Sequence, residues 1–279
     1  MITSIFSVLI NWVLLNSFVA LGLSFYGKPL LGWPPPTAAA IISVLGMLIL
    51  LLLSLTPAAE WLFRVSEGCK ECTAEQYAAL QPHFGEVCLR AGQDPSQYRL
   101  YINPSDNFNA YAIGSGTVAV TAGLLATANA EELKGVLAHE LGHLTLGHTL
   151  WTRITYTSGQ VGRFIIGLYV LVIRICSFFA FIPLLGLFLA VMIWLFVILL
   201  KLFQWIVQVP FALGLFFGSR RDEYAADGFA AQLGYGHGLQ SFLNRLVAPA
   251  EKSLGFFARL HSTHPEAAKR VRRLAEAAT

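Results

Sequence analysis

Charged residues are scarce in this chain of 279 residues. Only 13% of the sequence is Asp, Glu, Lys or Arg, whereas 56% is hydrophobic and the mean hydropathy is +0.61. A soluble domain usually carries about a quarter charged residues, so this composition predicts an integral membrane protein with a modest polar part. The net charge of +3 is too small and too scattered to indicate nucleic acid as a partner.

Two further scarcities narrow the class of protein. The stretch from Met1 to Gly27 holds no charge, so the basic segment that opens a signal peptide is missing, and a retained membrane span is expected. Cysteine occurs four times, which is too few for a disulfide scaffold in a chain of this length. Cys69 and Cys72 are therefore interpreted as reduced cytosolic cysteines, with a metal site or a redox pair as the alternative.

Long apolar runs alternate with two polar segments. About 20 apolar residues cross a bilayer as a helix, and two such runs precede residue 60, separated by Lys28 and "WPPP". Residues 164–218 contain only Arg174 and Lys201 as charged residues, and this length fits two more spans. The predicted segments are an N-terminal transmembrane hairpin (1–59), the first part of a polar domain (60–163), a second transmembrane hairpin (164–218) and the second part of the polar domain (219–279).

The distribution of basic residues predicts the orientation in the membrane. Residues 60–163 hold seven Lys/Arg and residues 219–279 hold nine, whereas the loops on the other side offer only Lys28. By the positive-inside rule, both polar segments lie in the cytosol. We therefore expect a multi-pass protein of a bacterial-type plasma (inner) membrane, with its polar domain cytosolic.

The polar segments predict both helices and strands. A helix is expected from about Thr73 to Gly92, and "YRLYI" and "TVAVT" have the pattern of strands. A second helix is expected after Asn129, which is a plausible N-cap. The predicted fold class is mainly α: a polytopic membrane protein with about four transmembrane helices and a cytosolic α+β domain that contains a small β-sheet.

The helix after Asn129 carries the strongest chemical signal. His139 and His143 are four residues apart, so they share one helix face and can reach one metal ion. Glu140 lies beside them and can hold a water on that ion. This is the H-E-x-x-H arrangement of zinc peptidases, in which the glutamate takes a proton from the attacking water. The motif predicts one Zn²⁺ per chain and a catalytic Glu140.

Two residues compete to be the third metal ligand. His148 follows His143 by five residues and points about 140° away on a continuous helix, so a capping role or a contact outside the ligand set is favoured. Glu223 and Asp227, in "RRDEYAADGFAA", share a helix face. There Glu223 can bind the metal while Asp227 accepts the free N–H of a ligand histidine. An ordinary exposed acidic helix is the alternative.

Four stretches occur in a fixed order from about Leu100 to the C-terminus: "NAYAIGSGTVAVTAGLL", "EELKGVLAHELGHLTLGH", "RRDEYAADGFAA" and "STHPEAAKRVRRL". In order and spacing they resemble the HtpX-type membrane metallopeptidases, relatives of the CAAX prenyl endopeptidases. The resemblance implies a zinc site formed by His139, His143 and Glu223. It also implies that Glu140 is the catalytic base.

The resemblance further implies how the substrate is held. An edge strand near Asn109–Ile113 is expected to pair with protein or peptide substrate in an extended conformation. Asn109 and His264 are expected to hold the substrate or the developing oxyanion, which needs a donor besides zinc. The alternative for His264 is a helix-start residue before Pro265. In "RVRRL" one arginine is expected to pair internally on an otherwise solvated helix face.

The sequence thus predicts a membrane-embedded zinc-dependent endopeptidase, gluzincin-like, that cleaves membrane-associated or misfolded proteins at the cytosolic face in proteolytic quality control. Its partners are protein or peptide substrates and the lipid bilayer. One alternative is an inactive peptidase-fold scaffold or sensor, although such a protein has no need of Glu140. The other alternative is a prenyl-substrate peptidase, a class that usually has more than four spans.

Overall fold

In the computed structural model, the chain divides into two units. One comprises Met1–Ser54 and Ile154–Gly214, and the other comprises Leu55–Arg153 and Leu215–Thr279. The structure describes residues 2–26, 29–178, 186–188, 190–191, 194–195, 198, 221–250 and 267–277.

Helices make up most of the described chain, and short strands form one sheet, in agreement with the mainly α class. The helices are α1 (Ile2–Tyr26), α2 (Pro35–Ser54), α3 (Pro57–Ser66), α4 (Ala74–Arg90), α5 (Ala122–Thr127), α6 (Ala130–Thr145), α7 (His148–Phe178), α8 (residues 221–232), α9 (Gly236–Ala250) and α10 (Ala267–Ala277). The strands are β1 (Lys70–Glu71), β2 (Arg99–Asn103), β3 (Ala110–Ile113) and β4 (Thr117–Thr121).

Three helices of the described residues are long and apolar enough to cross a membrane: Ile5–Ser24, Pro35–Ser54 and His148–Ile175. Composition places the start of the third span at Phe164, but helix α7 already begins at His148. Thr, Ser, Gln and Arg side chains in its first turns lower the hydropathy without interrupting the helix. The fourth predicted span falls on a part of the chain that lies largely outside the described residues.

Polar side chains within the apolar helices bond to one another. Ser7 Oγ lies 3.0 Å from Ser158 Oγ, and Asn11 Nδ2 donates to the Ser7 carbonyl at 2.8 Å. Ser43 Oγ donates to Asn16 Oδ1 at 3.2 Å. An unsatisfied polar group is costly inside a bilayer, so these bonds explain how the first span tolerates its two asparagines.

The second unit is organised around a sheet with the strand order β1-β2-β4-β3. Strands β2 and β4 pair in parallel, which confirms "YRLYI" and "TVAVT" as strands, and every residue of β4 is buried. Strand β3 pairs antiparallel with β4 and is the last strand in the order. The edge strand expected near Asn109–Ile113 is therefore found at an edge of the sheet.

Helix α6 begins at the predicted cap. The Asn129 side chain accepts the N–H of Glu132 at 2.9 Å, and the Glu132 carboxylate accepts the N–H of Asn129 at 3.2 Å. The same buried carboxylate accepts Ser241 Oγ at 2.9 Å and pairs with Arg245. Because Ser241 and Arg245 belong to α9, these bonds fix the start of α6 against that helix.

Helices α6 and α9 approach each other closely at Gly135. A Cβ atom at this position would lie 2.3 Å from the backbone nitrogen of Leu239 in α9. The neighbouring residues Leu133, Val136 and Leu137 of α6 are buried in the core of this unit. The absence of a side chain at Gly135 therefore allows α9 to support the helix that carries the two histidines.

Gly135→Ala is expected to destabilise the second unit. The added methyl group would displace the backbone of α9, and overpacking of this kind costs about 1–3 kcal/mol. Gly228→Ala is the matched control, because both glycines lie within helices and a Cβ at Gly228 meets nothing within 4 Å. Thermal unfolding in detergent measures both variants, and equal melting temperatures would contradict the close approach.

Candidate metal centre

The C-terminal half of α6 directs two histidines toward one point. His139 and His143 lie one turn apart, and their Nε2 atoms are 3.2 Å apart. The two ring planes are nearly perpendicular, with ring centroids 4.7 Å apart. His139 is buried and His143 is half-buried. The i,i+4 spacing thus brings both rings to the same small volume.

Helix α8 brings a carboxylate to the same place. Glu223 is buried, and its Oε2 lies 3.4 Å from His139 Nε2. Its Oε1 lies 3.5 Å from His143 Nε2. One nitrogen of each histidine and one oxygen of Glu223 all lie within 4.8 Å of one another. The carboxylate therefore completes a cluster of three potential metal ligands, called the HHE cluster below.

The spacing within the HHE cluster fits a tetrahedral zinc ion. Zinc binds histidine nitrogen and carboxylate oxygen at about 2.0–2.1 Å, and the edge of a tetrahedron with such bonds is about 3.3–3.4 Å. The separations of 3.2, 3.4 and 3.5 Å lie close to that edge, although Glu223 uses a different oxygen toward each histidine. Two imidazoles and one carboxylate also form a ligand set of catalytic zinc, whose fourth position stays open.

Asp227 and Arg270 lie behind the HHE cluster. Asp227 Oδ1 is 3.0 Å from His139 Nδ1, so it can accept the ring N–H and fix the tautomer that leaves Nε2 free. Arg270 of α10 donates Nε and Nη2 to the two oxygens of Asp227, at 2.8 and 2.6 Å. Its Nη1 lies 2.9 Å from Glu223 Oε2. One guanidinium therefore holds both buried carboxylates, Glu223 and Asp227.

The charges around His139 favour a cation. Burial alone lowers the pKa of His139, but the hydrogen bonds to Asp227 and Glu223 outweigh burial and raise the pKa to about 9. Burial also opposes ionisation of Asp227, yet its hydrogen bonds to His139 and Arg270 hold its pKa below the usual value. A proton and a metal ion compete for the same ring nitrogen. The carboxylates that favour a protonated ring therefore also favour a bound metal.

His148 contacts the HHE cluster from outside. Helix α6 ends at Thr145, and Gly147 has a φ of +72°, a left-handed conformation that favours glycine. The expectation of a continuous helix through His148 is therefore wrong, because the chain turns at Gly147. After the turn, His148 Nδ1 lies 3.0 Å from His143 Nδ1, the ring nitrogen of His143 that does not face Glu223.

A cleft opens beside the HHE cluster. It is lined by His139 and Glu140 of α6, by Asn109 and Ala110 at the start of β3, by Arg270 and by apolar side chains of α9. Glu140 is 4% exposed, so its carboxylate is buried in the wall of this cleft. The structure therefore places two further expected site residues, Asn109 and Glu140, next to the cluster.

Arg270 is the arginine of "RVRRL" that pairs internally. It is 3% exposed and shares a helix face with the buried Leu274, whereas Arg272 and Arg273 are exposed. The four-residue spacing from Arg270 to Leu274 is a signal for a buried face, but it does not indicate which acids the arginine meets. His264, the other residue expected from this segment, lies outside the described residues.

The sequence profile of peptidase family M48 matches residues 74–278, which include the HHE cluster and the cleft. The chain belongs to peptidase family M48. Family membership confirms the resemblance to the HtpX-type metallopeptidases and implies a metalloprotease, whose metal is usually zinc. The HHE cluster is the group of residues in the described chain whose geometry suits that metal.

Several proteins that are named as proteases are similar to parts of this chain. Metalloprotease YcaL of Escherichia coli (strain K12) is 33% identical over 94 residues, covering 30% of this chain and 36% of YcaL. A protease HtpX homolog of Aquifex aeolicus (strain VF5) is 37% identical over 100 residues, covering 34% and 32%. A protease HtpX homolog of Lactobacillus helveticus (strain DPC 4571) is 30% identical over 175 residues, covering 58% and 55%. The chain thus spans between about a third and about half of the length of these relatives.

A solved structure shows the same fold. The crystal structure of S. mikatae Ste24p matches with a TM-score of 0.54 at 17% identity, over 86% of this chain and 58% of Ste24p. At this identity the likeness establishes the fold alone. The fold is therefore shared with a protein whose sequence has diverged widely.

Arg270→Met is expected to destabilise the second unit, because it leaves Glu223 and Asp227 without their guanidinium. Removing one partner of a buried ion pair costs about 3–5 kcal/mol. A bound metal would supply part of the missing positive charge. The loss of stability should therefore be larger after a chelator has removed the metal. Thermal unfolding with and without EDTA measures the effect.

The matched control for Arg270→Met is Arg273→Met in the same helix. Arg273 is exposed and lies over the ring of Tyr224, 4.0 Å from its centroid. An exposed cation–π contact contributes about 0.5–1 kcal/mol, so this variant should unfold near the wild-type temperature. Equal losses in the two variants would contradict a special role of the buried guanidinium.

Proposed function

We propose that this M48 protein is a membrane-embedded, zinc-dependent endopeptidase. The observation that carries the proposal is the HHE cluster, in which one nitrogen of each histidine and one oxygen of Glu223 lie within 4.8 Å of one another, close enough to bind one ion. His139, His143 and Glu223 are the proposed zinc ligands. When bound there, zinc would polarise the peptide carbonyl and lower the pKa of a water to about 7.

Glu140 is the proposed general base. Its buried carboxylate lines the cleft beside His139. There it can accept a proton from the attacking water and return it to the leaving amine. Asp227 is proposed to hold His139 in the tautomer that presents Nε2, through the 3.0 Å contact with Nδ1. Because the glutamate and the histidine are adjacent in α6, the proton acceptor is fixed relative to the metal ligands.

Asn109 and His264 are proposed to hold the substrate carbonyl or the developing oxyanion. Charge develops on that oxygen in the transition state, and a positioned donor there stabilises it. Asn109 lines the same cleft as Glu140, so its amide is near the place where the carbonyl would lie. His264 is proposed from the family resemblance.

The outer edge of β3 is proposed to bind the substrate as an added strand. The Thr121 N–H donates to the Asn109 carbonyl at 3.0 Å, so the peptide groups of Asn109 face β4. Peptide groups alternate in direction along a strand. Ala110 and Ala112 therefore direct their N–H and C=O away from β4, where an extended substrate can bond to them. The cleft with Glu140 begins at this same strand.

Membrane-associated or misfolded proteins are the proposed substrates. Strand addition bonds the backbone of the substrate, so it requires an unpaired extended segment, which misfolded proteins expose. The proposed location is the cytosolic face of a bacterial-type inner membrane, in proteolytic quality control. The distribution of Lys and Arg supports this orientation, with seven in residues 60–163, nine in residues 219–279 and only Lys28 in the loops opposite.

Glu140→Gln is expected to keep zinc and lose peptide cleavage, because the ligands remain and the proton acceptor is gone. The expected loss is at least about 10²-fold in the rate of casein cleavage by detergent-purified protein. Glu131→Gln is the matched control, since Glu131 lies in the same helix with a side chain 71% exposed. Near wild-type turnover in Glu140→Gln would overturn the assignment of the base.

Metal content measured by mass spectrometry separates the alternatives in the same experiment. Glu223→Ala should purify with little zinc, Asp227→Ala with part of it, and His148→Ala with nearly all. Zinc-free His148→Ala beside fully loaded Glu223→Ala would show that the ligand set is wrong.

The casein assay separates the alternative functions. An inactive scaffold would leave casein intact in the wild type, and a prenyl-substrate peptidase would cleave only a prenylated peptide.

Ala112→Pro is expected to abolish cleavage while the protein stays folded. Proline removes the N–H that points away from β4 and leaves the ladder between β3 and β4 intact. Ala112→Val is the control, because it changes the side chain and keeps the N–H. Cleavage of casein and the melting temperature are measured for both. Full activity in the proline variant would contradict strand addition at β3.

A further inference from the structure

Helix α3 has its charged side chains inside and its apolar side chains outside. The side chains of Glu60 and Arg64 are only 12% and 13% exposed. Glu60 accepts Thr117 Oγ1 at 2.6 Å and the N–H of Ser115 at 3.2 Å, both in the β3–β4 hairpin. Arg64 lies over the ring of Tyr101, 4.7 Å from its centroid. The charged side chains of α3 therefore face the sheet and contact it.

The opposite face of α3 is apolar and exposed. Trp61, Leu62 and Val65 are 55%, 56% and 56% exposed. Together with the exposed Ala58 they occupy one stripe, because residues three and four apart share a helix face. This outer face, called the α3 stripe below, carries no charged side chain, and the exposed Ser66 at its end donates its hydroxyl to the Phe63 carbonyl at 2.8 Å. A surface helix of a soluble domain has the reverse arrangement.

The chain connects the α3 stripe directly to a membrane span. Helix α2 is a candidate span of 20 residues, and at 1.5 Å per residue it matches the thickness of the hydrocarbon core, about 30 Å. Only Leu55 and Thr56 separate its last residue from Pro57, and three residue steps reach at most about 11 Å. Helix α3 therefore starts close to the headgroup region that borders the hydrocarbon core.

The start of α3 is held by contacts within the second unit. Arg153 Nη2 donates to the Thr56 carbonyl at 3.3 Å, and Pro57 begins the helix. Proline at the first helical position restricts the backbone to a helical φ. The orientation of the α3 stripe relative to the sheet is therefore set by several contacts, from Thr56 to Arg64.

We propose that α3 is an interfacial helix, with Trp61, Leu62 and Val65 inserted among the lipids at the headgroup boundary. An apolar helix face buries there by about 5–10 Å, and Trp is enriched at this depth because its ring is amphipathic. Lipid is the occupant because the stripe is uncharged and joined to a membrane span by only two residues. This surface is independent of the peptidase assignment.

The contacts of α3 link the lipid surface to the edge strand. Glu60 packs so closely on the β3–β4 turn that a Cβ at Gly114 would lie 2.0 Å from its carboxylate oxygen. The hairpin that contains β3 therefore packs against the inner face of α3, while the α3 stripe on the outer face would contact the lipids. The distance between the bilayer surface and the outer edge of β3 is then set by one helix.

The test uses the full-length protein in phosphatidylcholine nanodiscs, with lipids that carry bromine near the headgroup as quencher. The emission of the wild type minus that of Trp61→Phe isolates Trp61 among the six tryptophans. Most of this difference emission should be lost in brominated lipid, with little response to aqueous acrylamide. Emission that persists in brominated lipid overturns the proposal, whether acrylamide quenches it or a protein surface covers it.

The matched control places a reporter elsewhere in the same unit. Tyr77 of α4 is 51% exposed, close to the value for Trp61, and Tyr77→Trp is introduced in the Trp61→Phe protein. Its added emission should respond to acrylamide and not to brominated lipid. Equal quenching of the two reporters by lipid would overturn a specific role of α3. Melting temperatures of the variants establish that the fold is unchanged.

Discussion

The compensation of buried charge around His139 is the constraint on which the second unit depends. Glu223 and Asp227 are buried carboxylates, and a buried charge is tolerated only when it is paired and hydrogen-bonded. Arg270 meets both, and His139 contacts both. Helices α6, α8 and α10 must therefore converge. One guanidinium against two carboxylates leaves a net negative charge, which a metal cation bound at the HHE cluster would compensate.

The sheet order places the proposed substrate strand next to this charged centre. Strand β4 pairs in parallel with β2, so β3, which precedes β4 in the chain, takes the outer position. Asn109 and Ala110 at the start of β3 then share a cleft with Glu140. The same hairpin is fastened to α3 through Glu60. The proposed base, the proposed substrate edge and the proposed membrane contact of α3 are thus connected through one β-hairpin.

Much of the site follows from local spacing, because a helix repeats every 3.6 residues. The i,i+4 positions of His139 and His143 determine a shared face whatever the rest of the fold, and the same holds for Glu223 and Asp227. Asn129 caps α6 as expected, since its side chain meets an N–H only three residues away. Apolar length alone indicates the spans at α1 and α2. These features depend on neighbours within one or two turns.

By itself, then, the sequence determined the first two apolar helices, α4, α6 with its cap at Asn129, and the strands β2 and β4. It also offered the candidate metal ligands, and the resemblance rested on stretches that keep their order. Only the tertiary structure decided the turn at Gly147, which one left-handed residue produces against a helical pattern. It also decided which of the arginines in "RVRRL" is buried, and it turned the charges of α3 inward. The reason is physical: Arg270 meets α8 and Glu60 meets the β3–β4 hairpin across long stretches of chain. No local period encodes such partners.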